Sequence, residues 1–380
     1  MQLFYLANIR IPTEKAHGVQ IAKMCAALAN QDLSVTLVVP KKFTPLKEDI
    51  FNYYQVKRNF KIIRLNSLNL ISWDFLLGRL GFYLETLVFN ARVKRLVKRL
   101  KPEILYTREH LLANLAGRYH KNIFLETHVY SESRFYYKCL KRVKGVVVIT
   151  HKLKEQVQKF QANVLLAPDG VDLRQFDIEL DKHEAKRKLG LPQNEAAVVY
   201  LGHLYPWKGA EVLARASAFL PLTCRVYFTG GTENDIIKFK SQVKSENLRV
   251  EIIGHRQYQE MPIWLKAADV LVLTGSAETD LSRHYTSPMK LFEYMAAKRP
   301  IVASDLSSFR EILNESRAIL VKAGDPQAMA DGVKMALTHP ALSRQLSDQA
   351  YLDVQKYDWQ ARAARITQFI QHSEPHPKVI

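Results

Sequence analysis

The chain has 380 residues, a formal net charge of +18, and 47% hydrophobic and 10% aromatic residues. This length suits two domains of ordinary size, and the composition excludes a disordered protein. No run approaches the roughly 20 apolar residues of a membrane-spanning helix, and three widely spaced cysteines exclude a disulfide framework and a zinc cluster. The first residues lack the basic segment and cleavage site of a signal peptide, so we expect a cytoplasmic protein.

Short apolar segments alternate with helical stretches along the whole chain. In the first half the predicted strands are 3–7, 34–39, 62–65, 104–106, 123–126 and 146–149, and residues 20–30 have helical composition. In the second half the predicted strands are 198–202, 225–229, 250–253, 270–273, 301–303 and 318–321. This alternation is typical of parallel sheets covered by helices on both faces.

A domain boundary is predicted near residues 168–191, where Pro-Asp-Gly supplies turn chemistry and a charged segment follows. The predicted organisation is an N-terminal domain over 1–170, a C-terminal domain over 171–357, and a last helix over 358–380 that crosses back. The predicted fold class is therefore α/β, with two facing Rossmann-like domains. The cleft between them would be lined by the carboxyl ends of the strands.

Nearly all the excess positive charge lies in the first half. Residues 1–170 hold 28 Lys and Arg against 12 Asp and Glu, whereas the remainder holds 27 against 25. The two halves are therefore expected to meet different partners, and the basic half suits nucleic acid or an anionic membrane.

Residues 72–100 combine an apolar group with a basic one. The apolar members are Trp73, Phe75, Leu76, Leu77, Leu80, Phe82, Tyr83, Leu84 and Phe89, and the basic members are Arg92, Lys94, Arg95, Lys98 and Arg99. Arg79 and Glu85 interrupt the apolar run, which excludes a transmembrane helix. Two interpretations stay open: an amphipathic segment lying on an anionic membrane, or a core helix followed by a solvated basic one.

The segment from Thr286 to Asp305 predicts a helix followed by a buried strand. Ser287 and Pro288 fit the N-cap and the first helical residue, and the N–H groups at such a helix start suit a pyrophosphate. Glu293 lies about one and a half turns inside, where its carboxylate suits the hydroxyls of a ribose. Taken alone, the same pattern also fits a capped core helix without a ligand.

Four motifs occur in order and together resemble one family. They are Ala167-Pro-Asp-Gly-Val-Asp172, Leu201-Gly-His-Leu-Tyr-Pro-Trp-Lys-Gly209, the stretch from Ser287 to Ala296, and Ala323-Gly-Asp-Pro326. The chain resembles the retaining, family-4-type glycosyltransferases of GT-B fold, also called glycosyl transferases group 1. The resemblance is strongest over residues 165–335.

The resemblance implies a nucleotide-diphosphate sugar donor and a set of site residues. The implied donor-binding residues are His203, Lys208, Tyr285, Ser287, Pro288, Met289, Lys290, Leu291 and Glu293. The implied catalytic residues are His128, Lys208 and Glu293. The implied acceptor-binding residues are His17, Gly18 and His128, and Gly18 is predicted to lie in a loop.

Two positions depart from the family pattern. Tyr285 stands where the family has its first glutamate, and His203 stands where the family has an arginine. An imidazole is neutral for much of the time near pH 7, so Lys208 would carry more of the pyrophosphate charge, with help from Lys290.

Preorganised cations and backbone N–H groups can stabilise a diphosphate leaving group without a metal. No Asp-x-Asp motif follows a predicted strand, so neither a metal nor a cofactor is expected. The resemblance also implies a front-face transfer, in which the leaving phosphate accepts the proton of the acceptor hydroxyl. Neither Glu126 nor Asp169 is assigned as a nucleophile.

The predicted function is transfer of a sugar to a glycan or lipid-linked acceptor in cell-surface polysaccharide synthesis. The expected location is cytoplasmic, with peripheral contact to the inner face of the membrane. Three alternatives stay open: a nucleotide-sugar epimerase of the same fold, a non-catalytic protein that binds through its basic surface, and a catalytically inactive relative. No RNA-recognition or helix-turn-helix motif supports specific nucleic-acid binding.

Overall fold

The computed structural model describes residues 1–68 and 74–373, and for residues 74–79 it describes the backbone alone. Trp73 therefore lies outside the described residues, as do the side chains of Phe75, Leu76 and Leu77. Contacts divide the chain into two compact units. The first unit comprises Met1–Pro168 together with the chain from Trp359, and the second comprises Asp169–Asp358.

The first unit is built on a seven-stranded parallel sheet with the strand order β3-β2-β1-β4-β5-β6-β7 among its described residues. The strands are β1 (Gln2–Leu6), β2 (Ser34–Pro40), β3 (Lys61–Leu65), β4 (Ile104–Thr107), β5 (Ile123–Thr127), β6 (Gly145–Val148) and β7 (Val164–Leu166). The helices up to Pro168 are α1 (Ala16–Ala29), α2 (Ile50–Tyr53), α3 (Asp74–Leu100), α4 (His110–Ala116), α5 (Arg134–Leu140) and α6 (His151–Gln158). Because the strands are parallel, their carboxyl ends share one edge of the sheet.

The second unit repeats this plan with a six-stranded parallel sheet, in the order β10-β9-β8-β11-β12-β13. The strands are β8 (Ala196–Leu201), β9 (Cys224–Thr229), β10 (Val250–Gly254), β11 (Val270–Leu273), β12 (Ile301–Asp305) and β13 (Ile319–Lys322). The helices are α7 (Leu173–Phe176), α8 (Lys182–Lys188), α9 (Ala210–Ala216), α10 (Glu233–Ser245), α11 (Met261–Ala267), α12 (Met289–Ala296), α13 (Ser307–Arg310), α14 (Pro326–Thr338) and α15 (Pro340–Val354).

The predicted fold class, α/β with two Rossmann-like sheets, is confirmed. The central strands are nearly continuous apolar runs, and β11 is buried along its whole length, as expected for a sheet covered on both faces. Strand β7 was not predicted, because its three residues are too few to show a period. The predicted capping of the helix after residue 325 is also correct, since the Asp325 side chain accepts from the Ala328 N–H and Pro326 opens α14.

The last described helix, α16 (Trp359–His372), belongs to the first unit and packs against α1. Its buried stripe includes Trp359, Ala363, Ile366 and Ile370 at helical spacing. Arg362 lies in the same stripe and is fully buried. Across the ranges that the structure describes, no helix has the length and hydrophobicity needed to cross a membrane.

Candidate active site

Helix α12 starts at the carboxyl edge of the second sheet, between β11 and β12. Its first residue is Met289, and Pro288 occupies the N-cap position with extended backbone angles, φ −73° and ψ 130°. The prediction that Ser287 caps the helix is therefore wrong, because the extended backbone of Pro288 places Ser287 one residue too early. The Ser287 hydroxyl is buried and has no hydrogen-bond partner among the described residues.

Lys290, in the first turn of α12, places its ammonium group over the ring of Tyr200 in β8, 3.8 Å from the ring centroid. That ammonium is buried and has no hydrogen-bond partner within the described part of the chain. Burial lowers the pKa of Lys290 well below its ordinary value, and the positive charge of Lys208 lowers it further. Glu293 opposes the shift with a smaller effect.

Lys208 lies in the loop that follows β8, and the backbone holds it there. Its carbonyl oxygen accepts from the Thr274 hydroxyl at 2.7 Å. The next residue, Gly209, has φ 68°, and a Cβ on it would lie 3.2 Å from the Gly275 carbonyl carbon, so this tight loop favours glycine. Burial lowers the pKa of Lys208 to about 8, although Asp235 opposes the shift.

The two lysines form what we call the lysine pair, Lys208 and Lys290. Among the described residues no carboxylate lies within salt-bridge distance of either ammonium group. Two positive charges near each other repel, and this repulsion is unfavourable when no counter-charge is present. An anion bound between the two ammonium groups would remove this repulsion.

Glu293 and its neighbours fix α12 to the rest of the second unit. Glu293 is buried and accepts a hydrogen bond of 3.0 Å from the hydroxyl of Tyr258, which follows β10. The Tyr294 hydroxyl accepts from the Leu201 N–H at 2.8 Å, at the end of β8. Burial, followed by the charge of Glu293, raises the pKa of Tyr258 well above its ordinary range, so Tyr258 stays a donor. Sequence reasoning missed Tyr258, although its place after a predicted strand was a usable signal.

The remaining predicted donor residues occupy different surroundings. The His203 ring stacks on Tyr205 with centroids 4.9 Å apart, and its Nδ1 lies 3.7 Å from the Asp235 carboxylate. Tyr285 ends a π-helical turn, Leu281–Tyr285, that precedes α12. The Leu291 side chain is 1% exposed and lies in the hydrophobic core, so this residue offers a ligand only its backbone.

In the first unit, His128 directly follows β5 and is held by a buried carboxylate. Its Nε2 lies 2.7 Å from Glu126 Oε1, and the Arg362 guanidinium donates to the same oxygen at 3.0 Å. Gln20 Nε2 donates to it at 2.6 Å, and the Tyr106 hydroxyl donates to Oε2.

Burial raises the pKa of Glu126, but Arg362 and His128 outweigh burial and hold this pKa well below its usual range. Glu126 is therefore an ionised partner of His128, already occupied by donors and unsuited to act as a nucleophile. We call this set the glutamate network: Glu126, His128, Arg362, Gln20 and Tyr106.

Sequence reasoning did not find the partners of Glu126. Arg362 carried a usable signal, because it is a charged residue within the apolar stripe of a predicted helix. Its guanidinium also donates to the carbonyl oxygens of Ala167 and Pro168, at 3.1 and 2.9 Å, and this ties α16 to the end of the first unit's main segment.

The predicted loop around His17 and Gly18 is wrong, since both residues lie in the first turn of α1. A Cβ on Gly18 would lie 2.3 Å from the Tyr54 hydroxyl. Glycine is therefore required at this position by the close approach of Tyr54. His17 is half-buried beside it.

Comparison with known proteins gives one family and many similar folds. The model of the family described as glycosyl transferases group 1 matches residues 195–339. The putative teichuronic acid biosynthesis glycosyltransferase TuaC of Bacillus subtilis is 26% identical over 235 residues, which cover 60% of this chain and 56% of TuaC. The chain thus spans little more than half the length of the curated relatives it matches.

Two solved structures are similar over nearly their whole length. A sucrose-phosphate synthase of Thermosynechococcus elongatus superposes with a TM-score of 0.78 at 18% identity, covering 97% of this chain and 98% of that one. HepE of Anabaena, solved with UDP and glucose, gives a TM-score of 0.77 at 15% identity, covering 98% and 99%. At these identities the comparisons establish the fold alone.

Proposed function

Given that residues 195–339 belong to the glycosyl transferases group 1 family and that the chain has the GT-B fold, we propose that the protein transfers a sugar from a nucleotide-diphosphate donor. The observation that carries this proposal is the lysine pair. The buried ammonium group of Lys290 in the first turn of α12, and the partly buried one of Lys208 in the loop after β8, have no carboxylate within salt-bridge distance among the described residues and match the charge of a diphosphate. Binding removes their mutual repulsion.

The second unit supplies the donor chemistry. Lys208, Lys290 and the N–H groups at the start of α12 stabilise the negative charge that develops on the leaving diphosphate. The buried Ser287 hydroxyl adds a further polar group at the same helix start. Glu293 accepts hydrogen bonds from the ribose hydroxyls, and Tyr258 positions its carboxylate.

The first unit supplies His128 for the sugar or the acceptor. The ionised Glu126 holds Nε2 of this imidazole at 2.7 Å and so fixes the ring directly after β5. The transfer retains the anomeric configuration, and the leaving diphosphate accepts the proton of the acceptor hydroxyl. The positive charge comes from lysine ammonium groups, so the proposal includes no metal ion.

The proposed acceptor is a glycan or a lipid-linked glycan of the cell surface, handled on the cytoplasmic side of the membrane. Support comes from TuaC, which is named for teichuronic acid biosynthesis. It also comes from α3, where exposed apolar and basic side chains share one helix: Leu80, Phe82, Tyr83, Leu84, Leu87, Arg92, Lys94, Arg95, Lys98 and Arg99. Such a surface suits an anionic membrane, where each basic residue contributes about 1 kcal/mol.

Calorimetric titration with UDP and GDP tests the donor site. Wild type should bind one of them, and Lys208→Ala and Glu293→Ala should each weaken binding ten-fold or more, since charge-assisted hydrogen bonds contribute about 1.5–3 kcal/mol. The exposed Lys238 in α10 provides the matched control, Lys238→Ala. Equal affinity in all four proteins would refute the site. In a separate assay, conversion of a nucleotide sugar to its epimer without an acceptor would favour the epimerase alternative.

Vesicle sedimentation tests the membrane proposal separately. Anionic vesicles should bind the wild type, and neutral substitution of Arg92, Lys94, Arg95, Lys98 and Arg99 should weaken that binding and spare nucleotide affinity. Neutral substitution of three exposed lysines in α10 (Lys238, Lys240 and Lys244) serves as the control. Failure of wild type to bind anionic vesicles would remove the membrane surface from the proposal.

A further inference from the structure

Two polar side chains outside the proposed machinery meet at the carboxyl edge of the first sheet. Asn8 follows β1 and Glu109 follows β4, and these strands are neighbours in the sheet. The Asn8 N–H donates to Glu109 Oε1, which fixes the two residues against each other. Their remaining oxygens, Asn8 Oδ1 and Glu109 Oε2, are both buried, and neither has a hydrogen-bond partner among the described residues.

The orientation of the Asn8 amide is determined by its other neighbour. The Thr86 hydroxyl of α3 donates to the Phe82 carbonyl at 2.8 Å, so its oxygen can only accept from Asn8. The Asn8 Nδ2 therefore provides this 3.0 Å bond, and Oδ1 must be the free end. Asn8 is 4% exposed, and a buried amide oxygen without a donor is unfavourable.

The charges around Glu109 leave its carboxyl in an unusual state. Burial raises the pKa of Glu109 to about 7, with the Asn8 N–H, Lys42 and Arg108 acting in the opposite direction. Lys42 is paired with Glu85 of α3 at 2.7 Å, and both of these side chains are 6% exposed. Because that pair compensates itself, Arg108 is the remaining positive charge that acts on Glu109. Once Glu109 is ionised, its own carboxylate disfavours an anion at this place.

Two buried oxygens that accept hydrogen bonds, one of them on a carboxyl that becomes negative above its pKa, favour a ligand that donates hydrogen bonds and carries no negative charge. We propose that Asn8 Oδ1 and Glu109 Oε2 form a specificity-determining subsite that accepts hydrogen bonds from hydroxyl groups of a neutral glycosyl acceptor. This inference rests on the proposed function, which it deepens by naming the acceptor's chemical class and the residues that select it. Polyols fit, whereas phosphorylated or carboxylated sugars do not.

Saturation-transfer NMR with a panel of neutral methyl glycosides tests the subsite on the full chain, with methyl glucuronides as the anionic comparison. Wild type should bind at least one neutral glycoside and no glucuronide. Glu109→Gln should weaken that binding at least five-fold, because an amide replaces a charged acceptor. Thr86→Val, which releases the Asn8 amide, should weaken it less.

The matched control is Glu103→Gln, at the opposite end of the same strand β4, where the side chain is 59% exposed. It should bind like the wild type. Binding by Glu109→Gln that equals wild type, or no neutral glycoside bound by wild type, would overturn the proposal. Nucleotide affinity is measured on the same samples. If nucleotides bind and glycosides do not, the subsite alone is wrong; if nucleotides also fail to bind, the proposed function is wrong.

Stability and pH separate a ligand-binding role from a structural one. Because the pKa of Glu109 is higher in the folded protein than in the unfolded chain, its contribution to the free energy of unfolding is fully present below the ordinary pKa of a glutamate. This contribution is lost as pH rises through about 7. Glu109→Gln should therefore have a Tm at pH 8 that equals or exceeds that of wild type. Glycoside affinity of wild type should rise between pH 6 and 8, and this rise should vanish in the variant. A large fall in Tm together with an unchanged pH profile would identify Glu109 as structural.

Discussion

In the first unit the buried carboxylate of Glu126 faces Arg362, His128, Gln20 and Tyr106, whereas in the second unit the lysine pair faces no carboxylate within salt-bridge distance among the described residues. Both sets of ionisable groups are at least partly buried, and each lies in a unit built on a parallel sheet. The glutamate network is complete without a ligand, and the lysine pair is not. Bonding partners, and not burial alone, therefore distinguish a charge that is satisfied within the fold from one that is open to a ligand.

The largest expected effect comes from breaking the complete network. Arg362→Leu leaves Glu126 buried without its counter-charge, so the free energy of unfolding should fall by about 3–5 kcal/mol. Urea denaturation measures this, and Arg365→Leu, exposed on the same helix, is the control.

The pH dependence of this variant gives a second readout. The depressed pKa of Glu126 contributes stability above its ordinary pKa, and this is lost as pH falls through the lower folded value. The deficit of Arg362→Leu should therefore be larger at pH 7 than at pH 4. An equal deficit at both values would mean that lost packing, not charge, explains it.

The lysine pair should respond to pH through ligand binding. A diphosphate favours the charged forms of Lys208 and Lys290, so nucleotide affinity should fall as pH rises above about 8, by up to ten-fold per unit for each group that must take up a proton. Calorimetry at pH 8 in buffers of different ionisation enthalpy should show proton uptake on binding. Lys208→Met should bind more weakly and with less uptake. Affinity that stays constant from pH 7 to 9 would contradict this role.

A smaller effect is expected at Tyr258, which acts through Glu293. Tyr258→Phe removes one hydrogen bond to the carboxylate, worth about 0.5–1.5 kcal/mol, so nucleotide affinity should fall roughly two- to ten-fold. The loss should be greater for UDP or GDP than for their 2′,3′-dideoxy forms, because only the former need an oriented carboxylate. Equal losses for both would show that Tyr258 supports α12 generally.

No effect is expected from chelation. If the lysine pair and the start of α12 neutralise the diphosphate, EDTA should leave nucleotide affinity and transfer unchanged. Dialysis against EDTA followed by readdition of Mg²⁺ or Mn²⁺ checks this. If nucleotide affinity or transfer is lost after chelation and recovers when the metal ion is added back, the charge that neutralises the diphosphate belongs to a metal ion.

The fold was largely predictable because parallel strands buried on both faces are continuous apolar runs. The family resemblance inferred from four motifs is also confirmed. The helix cap at Ser287 was mispredicted, because proline fixes φ and leaves ψ open, and the extended ψ of Pro288 moves the helix start to Met289.

The partners of the candidate site were less accessible to sequence reasoning. The hydrogen bonds that define them join residues far apart in the chain, 35 positions from Tyr258 to Glu293 and 236 from Glu126 to Arg362. Local patterns carry no information on such pairings. Lys208 and Glu293 were nominated because short motifs contain them, whereas Asn8 and Glu109 belong to no motif and emerge only from strand order.

The return of α16 to the first unit also sets an order for biosynthesis. On the ribosome, β5 and its Glu126 emerge long before Arg362, and the whole of Asp169–Asp358 is translated in between. At about 5–20 residues per second that interval lasts roughly 10–40 s. During this interval Glu126 in the nascent first sheet lacks its buried counter-charge, Arg362. The second unit can therefore complete its fold before the first unit does.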